Sequence, residues 1–274
     1  MRPDRRAWLW ASVVALGLFI YDGPVRGILP DAHLPALPGG LNGLTSLLVA
    51  FSVFHAIAVL GLRHAGIFFA GSAIVSWVFE QVGVTTGAVY GPYHYTDVLG
   101  PRLGDVPILI PGAWFMMMYP SYVIAGLLVD GRPFGTRGDL GHVAWLAGVG
   151  AAVMTAWDLV VDPILSGTGF LAWIWEQGGP YLGVPVQNYV GWLATTFTVF
   201  VLYRGFERLR PACGPRVTGS TVAALPLVAY GAMLVANLVA GGPPALAVIG
   251  PFVMGVPLLV AAGRLRQRPA YAAA

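Results

Sequence analysis

The chain has 274 residues, 57% of them hydrophobic and 10% charged, whereas a soluble domain carries about a quarter charged residues. Its mean hydropathy is +0.73, all fifteen basic residues are arginine, and the one cysteine, Cys213, excludes an intramolecular disulfide and a cysteine-rich metal site. The pI near 9.2 reads as membrane orientation rather than nucleic-acid binding, because the arginines sit in short loops between apolar runs.

Arg2, Arg5 and Arg6 precede a first apolar run, 7–21. No clean small-x-small cleavage site follows it and further runs do, so it reads as a retained anchor. The next runs are 43–62, 65–82, 108–129, 142–161, 186–203, 221–240 and 245–262. Each is close to the ~20 residues that cross a ~30 Å hydrocarbon core. Backbone polar groups must pair within such a span, so the expectation is helices and no strands. The fold class is an all-α polytopic integral membrane bundle of about eight transmembrane helices, one domain over 1–274.

With the N-terminus inside, thirteen arginines lie in inner segments, Arg204, Arg208, Arg210, Arg216, Arg264, Arg266 and Arg268 among them. Only Arg26 and Arg102 fall outside. That asymmetry predicts an N-in, C-in, multi-pass protein of the cytoplasmic membrane. Two outer loops, 83–107 and 163–185, are long and rich in Gly, Pro, Tyr and Trp. Loops of that length are functional or disordered, and the aromatics favour ordered, re-entrant or interfacial caps. Each loop closes on a Gly-Val-Pro-like turn (Leu103–Pro107, Leu182-Gly183-Val184-Pro185), with Trp114 or Trp192 seven residues after the proline. Glu80-Gln81 and Glu176-Gln177 recur near the two loops, which suggests an internal duplication. Chance recurrence is the competing reading, since Gly255-Val256-Pro257 stands alone.

Asp158 and Asp162 are spaced i, i+4 and so share one helical face. Two carboxylates one turn apart repel, so one of them holds a proton and the pair offers an acid beside a base. A helix cap before Pro163 is the plain alternative for Asp162; Asp158 lies a turn deeper, where an ionisable group points to function. Glu80, among Trp77, Val78 and Phe79, is a candidate general acid or a structural hydrogen-bonding group. Glu176 and His94 each divide between a site role and a solvated one. Asp22, before Gly23-Pro24, reads as a turn residue. Tyr90, Tyr93, Tyr95, Trp114, Trp173, Trp175, Tyr181, Tyr189 and Trp192 belong to an interfacial belt, or else offer faces to a cation or a flat conjugated chain. Met116, Met117 and Met118 read as core packing or as a pliable groove.

The absence of lysine excludes a retinal-type Schiff base. The five histidines do not cluster as in a membrane di-iron hydroxylase, and no arginine accompanies the aspartates as a phosphate-handling transferase would require. The stretch 79–120 (FEQVGVTTGAVYGPYHYTDVLG…) and the stretch 155–192 (TAWDLVVDPILSG…GVPVQNYVGW) resemble the membrane carotenoid biosynthesis family. That family includes carotenoid 1,2-hydratases of the gamma-carotene type and bisanhydrobacterioruberin hydratases. The resemblance covers roughly 51–203. It rests on the E-x-x-G-x-x-T-G-x-x-x-G-x-Y, D-x-x-x-D-P and G-V-P-x-x-N-x-x-G-W elements.

It implies cofactor-independent addition of water to the terminal double bond of an acyclic carotenoid taken from the bilayer. Association with other carotenoid enzymes is compatible with it. The residues expected to carry this chemistry are Asp158, Asp162 and Glu80 as catalytic carboxylates, with no metal. Tyr93, Trp114, Trp173, Trp175, Tyr181, Asn188 and Trp192 are expected to bind substrate. An end-group cyclase using the same protonation, and a non-catalytic carotenoid carrier or proton-coupled transporter, are the alternatives.

Overall fold

The computed structural model describes residues 3–212 and 220–267; Arg2, Cys213, Arg216 and Arg268 lie outside them. The described residues form an all-α bundle of eight long helices. The first, α1, is Pro3–Ile20 continued by a π turn at Tyr21–Val25 and a last turn at Arg26–Ile28. There follow α2 (Gly40–Leu60), α3 (Leu62–Thr86), α4 (Leu109–Asp130), α5 (Leu140–Leu165), α6 (Val186–Leu209), α7 (Ser220–Val239) and α8 (Leu246–Arg266).

Seven of these helices are long and apolar enough to cross a membrane, α6 being the exception. Its hydropathy is lowered by Gln187, Asn188, three threonines and the closing Arg204, Glu207 and Arg208. It still presents an outward apolar stripe of Val186, Val190, Leu193 and Phe197 at i, i+4, i+7, i+11. On α3 the exposed Ile67, Ile74, Val78 and Val82 form a similar stripe. Such continuous apolar faces are costly in water and favourable against lipid tails.

The bundle is built around α4, whose residues from Trp114 to Leu127 are all buried. Phe68 of α3 stacks on Tyr203 of α6 at 4.0 Å and meets Phe115 of α4 edge-on at 5.2 Å. Gly150 lets α5 close on α6: a Cβ there would lie 2.6 Å from the Phe200 ring.

The structure corrects the sequence reading in four places. Gly23-Pro24 does not end α1, since the missing proline N–H is absorbed by the π turn. Asp22 is therefore a buried helical residue and not a turn residue; its Oδ1 accepts from Arg26 Nη1 at 2.8 Å and from Leu37 N at 2.9 Å. Likewise α5 runs through Pro163 to Leu165, so Asp162 lies inside the helix.

Arg204 and Glu207 are not loop residues, because α6 runs six residues past Tyr203. The Arg204 guanidinium is buried 4.4 Å over the Tyr122 ring, and its Nη2 donates to the Tyr122 carbonyl at 2.9 Å. Glu207 accepts from the Tyr122 hydroxyl at 2.8 Å and from Thr136 Oγ1 at 2.7 Å. This cluster fastens the loop between α4 and α5 at the end of the bundle opposite the long loops.

Finally, strands do form in the long loops. β1 (Tyr93–Tyr95) pairs antiparallel with β4 (Trp173–Trp175), and β2 (Arg102–Leu103) pairs with β3 (Val106–Pro107). Outside the helical spans the loop backbones satisfy each other, and aromatic residues favour extended pairing.

Candidate active site

The ladder between β1 and β4 joins the two long loops into one cap. Tyr93 faces Trp175 and Tyr95 faces Trp173, while His94 pairs with Ile174 between them. Alternation along a strand sends these four aromatic rings to one side, toward the bundle. His94 and Ile174 go to the other side, where His94 Nδ1 lies 3.4 Å from Glu176 Oε1, both side chains about half exposed. His94 and Glu176 therefore sit outside the site.

Beneath the cap is a cavity with about 720 Å³ of space not filled by atoms, its open mouth included. Two carboxylates line it, Glu80 from the end of α3 and Asp162 from the end of α5. Glu80 Oε2 accepts from the Tyr93 hydroxyl at 2.5 Å and from the Tyr95 hydroxyl at 2.8 Å, and its Oε1 from Trp114 Nε1 at 2.9 Å. Asp162 Oδ1 accepts from Trp173 Nε1 at 2.9 Å and from Trp175 Nε1 at 3.0 Å. Asn188, near the start of α6, spreads its amide across the aspartate pair. Its Nδ2 donates to Asp158 Oδ2 and to Asp162 Oδ2, each at 2.7 Å.

Among the described residues, no cationic side chain lines the cavity. Its carboxylates are held by neutral N–H and O–H donors. Burial, and then the neighbouring Glu80 carboxylate, push the Tyr93 and Tyr95 phenols well above their ordinary range, so both stay protonated donors. Asp162 also sits in the last turn of α5, the negative end of the helix dipole and the unfavourable end for a carboxylate. Three donors converge there to hold it.

The remaining walls are apolar and aromatic. Trp114 and Trp192 stack at 4.0 Å, Trp157 meets Trp192 edge-on at 5.6 Å, and Tyr90 lies 6.4 Å from Trp114. Leu41 and Thr45 on α2, Leu109 and Ile110 on α4 and Leu165 on α5 also line the cavity and are half-buried. Tyr90 is fixed by a 2.9 Å hydrogen bond with Thr195 Oγ1 and by the absence of a side chain at Gly191. A Cβ at Gly191 would lie 2.5 Å from the Tyr90 ring and 2.7 Å from the Val89 carbonyl. Gly191→Ala is therefore expected to displace Tyr90 and the loop backbone, giving a protein with unchanged helical circular dichroism and at least about tenfold lower activity. Wild-type activity would contradict this placement of Tyr90.

Of the ten residues singled out in the sequence, eight line the cavity: Glu80, Tyr93, Trp114, Asp162, Trp173, Trp175, Asn188 and Trp192. Asp158 does not. It is fully buried behind Asn188, with its Oδ1 unpartnered. Tyr181 also lies off the cavity, its hydroxyl donating to the Leu159 carbonyl at 3.0 Å. Tyr90 and Tyr95, named in the sequence within the aromatic belt but not as substrate-binding residues, line the cavity as well, and so does Trp157, which the sequence reading did not name. Tyr95 was legible as the i+2 partner of Tyr93 once the segment is taken as a strand.

The two loops meet and hold their carboxylates in a similar way. Trp114 and Trp192, at matching offsets after Pro107 and Pro185, stack on each other. Glu80 is held by strand residues 13 and 15 positions later, Asp162 by strand residues 11 and 13 positions later. In each half a carboxylate near a helix end is thus held by the aromatic residues of the strand that follows, Glu80 by β1 and Asp162 by β4, while Glu176 of the second Glu-Gln pair is exposed.

Residues 41–261, most of the chain and the whole of this site, match the description "carotenoid biosynthesis protein". The chain belongs to the carotenoid biosynthesis protein family. It is similar to a bisanhydrobacterioruberin hydratase of Haloarcula japonica, 38% identical over 190 residues. That match takes in 67% of this chain, which spans 59% of the relative's length. No solved structure matches the chain. Every residue that holds a carboxylate in the cavity falls within the part matched to the family.

Proposed function

We propose that the protein adds water across the terminal C1–C2 double bond of an acyclic carotenoid end group, of the lycopene or gamma-carotene type, to give a 1-hydroxy carotenoid without a cofactor. One observation carries this reading: two carboxylates line an apolar, aromatic-walled cavity with no cationic side chain among its described lining residues. Such a site disfavours an anion and favours a positive charge that develops on a bound hydrocarbon. Family membership and the hydratase named among its relatives support the reading. The substrate comes from the bilayer of the cytoplasmic membrane, its end group entering the cavity sideways between helices.

Two adjacent carboxylates bridged by one neutral amide share a single proton. In the proposed step the pair delivers that proton to C2 from Asp162, the member that lines the cavity. A tertiary cation forms at C1, facing the Trp114, Trp157 and Trp192 rings. Water attacks C1 and gives its proton to Glu80, which the Tyr93, Tyr95 and Trp114 donors hold in place. The product has gained one H and one OH. Glu80 ends protonated and the aspartate pair has lost one proton, so the cycle closes when Glu80 releases its proton and one returns to the pair.

Expression in a lycopene-producing host tests this. The expected pigment is heavier than lycopene by one water for each end hydrated. An isomer of unchanged mass would indicate the cyclase instead, and unaltered pigment would indicate a carrier.

A further inference from the structure

Resting on the hydratase reading, we infer that Tyr181 and Pro163 form a clamp that holds Asp162 and Asn188 in register, so that Tyr181 is a positioning residue for the acid and not a substrate contact. Pro163 directly follows Asp162 inside α5 and has no N–H to give to the carbonyl four residues back, that of Leu159. The Tyr181 hydroxyl donates to that carbonyl at 3.0 Å. Two other prolines within helices are treated in the same way. Ser52 Oγ donates at 2.8 Å to the Met116 carbonyl that Pro120 leaves free, and His55 Nε2 donates at 3.0 Å to the Val222 carbonyl that Pro226 leaves free.

Those two bonds fasten one helix to another. The Tyr181 bond differs in what lies on either side of it. On α5 the freed carbonyl belongs to the turn between Asp158 and Asp162. On the loop side Tyr181 opens a two-residue hairpin, its N–H and its carbonyl pairing with Val184 at 3.3 and 2.9 Å. Leu182 and Gly183 both have positive φ, 52° and 92°, as a type I′ turn requires. Pro185 follows as the cap of α6, and Asn188 stands in the first turn of that helix, its N–H on the Pro185 carbonyl at 3.0 Å. Gly179 packs into the same corner, where a Cβ would lie 2.1 Å from the Val184 carbonyl.

One hydroxyl therefore ties the acid turn of α5 to the start of the helix that carries Asn188, whose Nδ2 meets Asp158 and Asp162 at 2.7 Å each. Without it the Leu159 carbonyl has neither a helical nor a side-chain donor, and the hairpin and the first turn of α6 can shift away from α5. The Asn188 amide then no longer spans both carboxylates. Tyr181 lines no part of the cavity, so its removal acts on the acid and not on the bound hydrocarbon.

The test measures hydration in lipid by wild type, Tyr181→Phe, Pro163→Ala and the double variant, with Tyr189→Phe as the control. The Tyr189 ring meets the Tyr181 ring edge-on at 5.3 Å, but its hydroxyl has no hydrogen-bond partner among the described residues. Tyr189→Phe is therefore expected to stay within about twofold of wild type. Tyr181→Phe is expected to lower kcat about tenfold or more with KM changed by less than about twofold, because misplacing a reacting group costs rate and not binding. Pro163→Ala supplies an N–H for the Leu159 carbonyl, so adding Tyr181→Phe to it should cost less than about a further twofold. Equal losses from Tyr181→Phe in both backgrounds, a loss carried by KM, or an equal loss in Tyr189→Phe would overturn the proposal. Infrared spectroscopy supplies a readout that needs neither product nor Pro163→Ala. The protonated-carboxyl C=O band of the aspartate pair should shift in Tyr181→Phe and stay in place in Tyr189→Phe; a band that ignores Tyr181→Phe overturns the clamp. If wild type hydrates no carotenoid while the band responds to Tyr181→Phe alone, the clamp stands and the hydratase reading fails.

Discussion

Asp162→Asn is expected to lower carotenoid hydration by about 10²- to 10⁴-fold, the usual worth of a positioned proton-transfer group, while the bundle stays folded. The substituted amide keeps the size of the aspartate and still offers Trp173 and Trp175 an acceptor oxygen, but it has no proton to deliver. Its N–H₂ also meets the N–H₂ of Asn188, where Asp162 Oδ2 in the native protein accepts at 2.7 Å. The variant should therefore fail at the first chemical step. In deuterated water it should incorporate no deuterium into recovered substrate. Near-wild-type turnover by this variant would remove Asp162 from the proton-delivery role.

Glu80→Gln is expected to lose hydration to a similar extent, about 10²- to 10⁴-fold, but at a different step. The glutamine side chain fits the same position, and the Tyr93 and Tyr95 hydroxyls can rotate to accept from its amide. The aspartate pair is untouched, so protonation and cation formation continue. Without a base at Glu80 the cation returns its proton to Asp162 and reverts to alkene. Recovered substrate should then carry deuterium although little alcohol is made. The contrast between the two variants separates acid from base. Loss of both exchange and hydration in Glu80→Gln would assign Glu80 to protonation, and retention of hydration would exclude it as the base.

The elements of the bundle were legible because hydrophobic length is a direct physical requirement of a membrane span. The seven runs after the first correspond to α2 to α8, with ends shifted by a few residues. What was not legible came from groups whose cost is met by distant partners. Arg204 and Glu207 looked like loop charges because Tyr122 and Thr136, which hold them, lie on other parts of the chain. Asp22 looked like a turn residue because Leu37 N and the π turn are tertiary features.

The acid pair was found by its i, i+4 spacing, and Glu80 by its apolar neighbours. Which of the three faces the cavity was not readable, because Asn188, from another helix, screens Asp158. That Glu80 and Asp162 are both held by strand aromatics was not readable either, because the donors are tyrosines in one loop and tryptophans in the other. The matching Pro-to-Trp offsets mark two residues that the structure brings together as the Trp114–Trp192 stack.

The most direct test of the central claim is hydration by the purified protein in lipid, given an acyclic carotenoid in oxygen-labelled water under unlabelled O₂. The account predicts a product heavier than the substrate by one labelled water, with the hydroxyl oxygen taken wholly from the solvent. A hydroxyl oxygen taken from O₂, or an unlabelled isomer of unchanged mass, would contradict it.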